Sequence, residues 1–190
     1  MRKVLTNFSL SLFCLLQMAT NAQAGIYPIN EEPVQTVLVP SQRFNFKKAN
    51  IEAVAQYHIH AKVLKIHKYG WDHESKFAPI DYAVGWGAMS DPQILKAFHI
   101  TQSGRWYYWK SNNMPISKSE VTSHSANMHL IPAAPDVHRR LAATKEGETI
   151  TLEGYLVNIN DNGWKWNSSL SRNDSGAHSC ELMYVTRASY

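Results

Sequence analysis

A strict alternation begins at Tyr57: Tyr57, Ile59, Ala61 and Val63 share one parity, and His58, His60 and Lys62 the other. A period of two predicts a strand with one face in the core. The adjacent pair Val63-Leu64, followed by Ile66, breaks the phase and predicts a bulge. Ser90-Asp91-Pro92 ahead of Gln93-Ile94-Leu95-Lys96-Ala97-Phe98 supplies a capping residue, a first-turn proline and helical apolar spacing, so a short helix is expected there. Residues 99–109 read as a hairpin turning at Ser103-Gly104, and residues 121–131 as a strand stopped by Pro132. Pro135-Asp136 opens a second short helix that runs through Val137, Leu141 and Ala142 toward Gly147. Segments 149–159, 164–170 and 180–186 then read as a three-stranded meander, with its first turn at Asp161-Asn162-Gly163.

These elements predict a mainly β fold with two short helices, as a small OB-like or related partly open β-barrel. In that architecture a helix sits between the third and fourth of five strands. A sixth strand and the helix near Pro92 are additional to it. Residues 51–190 form the expected single β-rich domain, and residues 25–50, with Pro28, Pro33 and Pro40, read as an extended N-terminal arm.

The first 24 residues follow a different logic. Met1-Arg2-Lys3, an apolar run through Leu10, Leu12, Phe13, Leu15 and Leu16, and Ala22-Gln23-Ala24 have the layout of a cleaved signal peptide. The run falls short of the roughly 20 apolar residues that cross a bilayer, and no later segment reaches that length. A periplasmic or secreted location is expected, with no membrane span after cleavage. Cutting after Ala24 also removes Cys14, which leaves Cys180 as the mature chain's one cysteine. An internal disulfide is therefore excluded in a compartment that favours them.

Loss of Arg2 and Lys3 leaves 17 basic against 15 acidic residues, a formal net charge of +2. The two signs are interspersed, which argues against a nucleic-acid partner. An envelope protein or a small-molecule or glycan ligand fits better, because six tryptophans and nine tyrosines are enough to line a groove as well as fill a core, with at least half of them expected in the core.

Four constellations could carry chemistry. In Gly85-Trp86-Gly87 ahead of a helix start, the flanking glycines could present Trp86 to a ligand. The segment lacks the GxGxxG spacing, the Walker lysine and a preceding strand of the type that nucleotide sites require. In Ser123-His124-Ser125-Ala126-Asn127-Met128-His129 the two histidines have opposite parity, so they face opposite sides of a strand. Cys180 could act as a nucleophile with His124 or His129 as its base and Arg172 as an oxyanion donor. Among these, His124 is the expected base, while Trp86, His129 and Asp174 form the expected ligand surface. His58-Ile59-His60 has a spacing that can hold one metal ion, but the spacing places no third ligand. No cofactor is otherwise expected.

Gly85-Trp86-Gly87-Ala88-Met89-Ser90-Asp91, residues 123–133 and Ser179-Cys180-Glu181-Leu182 resemble a group of exported proteobacterial proteins of uncharacterised function. The resemblance implies export and brings no activity, cofactor or site residue. The leading expectation is thus an exported single-domain β-barrel module that binds a ligand or partner protein. The alternatives are a thiol-dependent envelope hydrolase or transpeptidase using Cys180 and His124, and a metal-binding protein.

Overall fold

The structure, a computed structural model, describes residues 27–171 and 180–190. Residues 1–24, read as a signal peptide, and Arg172 and Asp174 lie outside the described residues. Among the described residues, nine strands run in chain order: β1 (Val34–Phe46), β2 (Ala49–Lys68), β3 (Ile80–Gly85), β4 (His99–Ser103), β5 (Trp106–Lys110), β6 (Ser125–Pro132), β7 (Thr149–Asp161), β8 (Trp164–Asn167) and β9 (Glu181–Ser189). Three short α-helices accompany them: α1 (Pro92–Leu95), α2 (Lys118–Ser123) and α3 (Pro135–Ala143).

Seven strands form one sheet in the order β1-β2-β3-β6-β9-β7-β8, and β2 also pairs with β7. That extra pairing closes β2, β3, β6, β9 and β7 into a hydrogen-bonded ring. In chain order the ring runs first, second, third, fifth, fourth strand and back to the first. All its pairings are antiparallel except β6 with β9. The parallel pair forces a crossover, and α3 leads into it between the third and fourth ring strands. This matches the expected small, OB-like, partly open barrel.

The alternation at Tyr57 is realised as read: Tyr57, Ile59, Ala61 and Val63 are buried in the ring interior with Tyr82, Met128, Leu130, Leu152 and Met183. The bulge falls where the phase slips, between Val63 and Lys65 in the register with β3. A second irregularity, between Ala53 and Ala55, was not legible as a phase change. There Ala53 pairs with Val157 and Ala55 with Leu156, so the odd-numbered positions of β2 that face the ring interior from Ala55 onward face the opposite side up to Ala53. Ala49, Ile51, Ala53, Val157 and Ile159 consequently leave the barrel interior. They join Phe77, Ile131 and Leu182 in a second core on the outer side.

Four expectations about elements are corrected. There are three short helices rather than two, because α2 occupies the start of the segment read as a strand. Ser117 caps it by accepting the Glu120 N–H at 3.1 Å, and β6 begins only at Ser125. The segment before Trp86 is itself a strand, β3, with all six residues buried. The C-terminal strands are not a meander: β9 pairs with β7 on the edge away from β8, and with β6. Part of the N-terminal arm, finally, is the sheet strand β1, antiparallel to β2. Pro40 belongs to a stretch where the β1–β2 register shifts, so proline sits where ladder bonds are already broken.

Candidate functional site

The outer face of β3 and β6 does not meet solvent, since every residue of both strands is buried. The β4–β5 hairpin roofs it. Gln102 donates to Asn127 across this interface, and Tyr107 Oη and Ser125 Oγ are hydrogen-bonded at 2.5 Å. Arg105, at the hairpin turn with φ +69, reaches under the roof and pins it. Its Nη1 donates to Asp81 Oδ1 at 3.0 Å and to the Ala78 carbonyl at 2.8 Å, while Nη2 donates to Asp72 at 2.9 Å. The guanidinium also lies 3.6 Å from the Tyr69 ring centroid. Asp81 is wholly buried, so this paired cation is what makes its charge tolerable.

At the edge of the roof a cleft of about 210 Å³ remains open, walled by Glu74, Arg105, Trp106, His129, Trp166, Asn167 and Cys180. Asn127, His129 and Ile131 share β6's outer face, and the parallel register sets β9's start beside them. Cys180, just before β9, is half-buried. Asn127 Nδ2 points at its Sγ from 3.6 Å and also donates to the Arg105 carbonyl at 3.0 Å. The Asn127 amide is held in that orientation because Gln102 occupies its oxygen. The Cys180 thiol in turn points at the Arg105 carbonyl from 3.9 Å.

His129 is 3% exposed and tilts against Trp166 with ring centroids 4.9 Å apart. Its Nδ1 sits 2.9 Å from Asp81 Oδ2, a close polar contact that lies off the line of a straight hydrogen bond. Asp81 thereby takes Arg105 on one oxygen and His129 on the other. Burial pushes the Tyr69 phenol up to about 12, with the Asp81 charge adding to the effect. Asp72 moves the opposite way. Its partial burial works against ionisation but is outweighed by the Ser75 N–H and by Arg105, so its carboxyl falls below the ordinary range.

The structure unites Cys180 and His129 in one cleft and places the other candidates among the described residues elsewhere. His124 is the C-cap of α2, with Nδ1 2.9 Å from the Glu120 carbonyl and Nε2 3.5 Å from Glu32. It does not line the cleft. Trp86 is 1% exposed, so its indole faces no ligand. Its Nε1 donates to Glu32 at 3.0 Å, and the Gly87 N–H donates to the Ile29 carbonyl at 2.7 Å. The Gly85–Asp91 segment therefore receives the N-terminal strap. Gly87 has φ +49, and any Cβ there would strike the His124 ring. His58 is exposed, and His60 Nδ1 pairs with Thr151 Oγ1 at 2.8 Å. Among the described residues no group of three or more metal-ligating side chains is assembled.

Sequence reasoning missed Asp81, Arg105 and Asn127. Arg105 beside Gly104 in a hairpin turn resembles an ordinary surface residue, and only the tertiary fold turns it inward. No family model, curated protein or solved structure matches the chain. Among the described residues no helix is long and apolar enough to cross a membrane.

Proposed function

We propose that this chain is an exported OB-like module that binds a ligand or partner protein at the Cys180–His129 cleft. The roofed β3–β6 face carries the reading: the hairpin covers the surface that OB folds commonly use, and leaves one aromatic-walled opening with hydrogen-bonding groups inside. At about 210 Å³ the opening suits one side chain or one small terminal group rather than an extended ligand. Export rests on the pattern of residues 1–24. Trp166→Ala, with thermal unfolding unchanged, should abolish recovery of a partner from envelope extract by the immobilised protein. Equal recovery by the variant removes the cleft as the binding surface.

The Asp81–His129 contact favours a second reading, thiol-dependent acyl transfer, with His129 in the place expected for His124. Cys180 would pass its proton to His129 and attack an acyl carbon. A C–S bond forms, the leaving group departs with that proton, and water then hydrolyses the thioester. Iodoacetamide should label Cys180 in the native protein at neutral pH, and more slowly in His129→Gln. Labelling only after denaturation rules out this chemistry.

A further inference from the structure

Below the Ala53/Ala55 irregularity, β1, β2, β7 and β8 continue past the ring as a four-stranded platform with chemically opposite faces. One face is apolar and anchored. Phe44 and Phe46 pack on Tyr184 with centroids 5.0 and 5.3 Å apart, and Trp164 stacks on Phe77. Residues of the other parity point away from that core. Registered pairing sets them in two transverse rows: Arg43, Glu52, Asn158 and Asn167 in one, and Asn45, Asn50, Asn160 and Lys165 in the next. No apolar side chain interrupts either row. Together with Phe44, Ile51 and Ile159 between them, they line a groove of about 680 Å³, the size of a small-molecule site.

Five of the eight side chains are carboxamides. Each offers two N–H donors and a carbonyl acceptor on a short, stiff stem. Two are already fixed: Asn158 accepts the Ser168 N–H and Asn160 accepts the Gly163 N–H. Asn45, Asn50 and Asn167 are exposed, and their amides have no hydrogen bond among the described residues. The charges largely cancel, because Arg43 meets Glu52 at 3.1 Å. Ser41 and Arg43 hold the Glu52 carboxyl below its ordinary range.

This chemistry discriminates between ligand classes. A bound peptide strand needs a vacant ladder edge and pockets for alternate side chains, whereas the groove crosses the face of paired strands and has no apolar pocket. Single-stranded nucleic acid needs several stacking aromatics and a cationic track, and Trp164 and Trp166 pack on the other face with Phe77 and His129. A ligand rich in hydroxyls and secondary amides matches the rows group for group. Three interstrand spacings, about 14 Å, give them the reach of a short oligosaccharide. We infer that the groove formed by these two rows binds an oligosaccharide bearing acetamido groups, as a second site beyond the Cys180 cleft.

The probe is a β-linked N-acetylglucosamine tetrasaccharide, titrated calorimetrically into the full mature chain. Saturable binding is expected, weakened at least about tenfold in the Asn45→Ala/Asn50→Ala double variant, roughly the loss of one to two hydrogen bonds. Both substitutions are on exposed strand positions, so thermal unfolding should be unchanged. Absence of saturation at about 10 mM probe, or wild-type affinity in the folded double variant, overturns the assignment.

Discussion

Gly87 shows how much of this molecule turns on single backbone positions. Its positive φ lets the chain reverse after the Trp86 side chain has been buried, and its missing Cβ makes room for the His124 ring. The same reversal presents the Gly87 N–H to Ile29 and the Ser90 hydroxyl to the Ile29 N–H, so the strap is tied at two points. Gly87→Ala adds left-handed strain and a collision at once. A loss of roughly 1–3 kcal/mol is expected in urea unfolding. Because the collision is with His124, the variant should also loosen the strap, seen as faster proteolysis near residue 30. Unchanged stability would show that the backbone relaxes there at no cost. The motif is legible as punctuation, but its purpose is not: two glycines flanking a tryptophan look the same whether the indole is offered to a ligand or shut in the core.

The β4–β5 hairpin shows the same ambiguity in a whole element. Its arms could be read from the aromatic run and are realised as β4 and β5, but the turn falls at Gly104-Arg105, one residue later than Ser103-Gly104, because Ser103 pairs with Trp106. Its role as a roof depends on Arg105 finding Asp81, Asp72 and Tyr69, which come from positions 24 to 36 residues earlier in the chain. This clamp has a definite pH window. Asp72 titrates below its usual value of 3.8 in the folded chain, so its contribution is full above 3.8 and is lost as pH falls through the lowered value. Tyr69 titrates upward, from 10.0 to about 12, so its contribution is full below 10.0 and is lost as pH rises toward 12. Hydrogen-exchange protection of residues 99–110, relative to β2 and β7, should therefore hold between these limits and fall outside them. A parallel decline of hairpin and barrel at both extremes would contradict an independent clamp.

Across the whole molecule, the irregularity between Ala53 and Ala55 separates two environments on one long pair of strands. Above it, the inward parity of β2 and β7 fills the ring; below it, the same strands offer one face to the outer core and the other to the amide rows. The Cys180 cleft opens on the outer-core side and the amide groove on the reverse side, and the two share only Asn167 in their walls. Disturbing one site should thus leave the other intact. His129→Gln is expected to keep tetrasaccharide affinity within about twofold, since distant sites combine nearly additively. The Asn45→Ala/Asn50→Ala variant is expected to keep the wild-type rate of iodoacetamide labelling. A marked cross-effect in either direction would show that the platform moves as a coupled unit.

Local pattern alone determined the strand at Tyr57 and its bulge, the capped helix at Asp91, the hairpin at Gly104, the helix at Pro135 and the β-rich, OB-like class. These follow from side-chain periodicity and from the backbone preferences of proline and glycine, which act over a few residues. Tertiary structure decided the rest: that β2 also pairs with β7 to close the ring, that β9 docks beside β6, that His129 rather than His124 stands with Cys180, and that Arg105 turns inward. Each of these depends on registers between segments far apart in the chain. A shift of one residue in such a register exchanges the faces of a strand, and parity alone carries no information about which face the partner will cover.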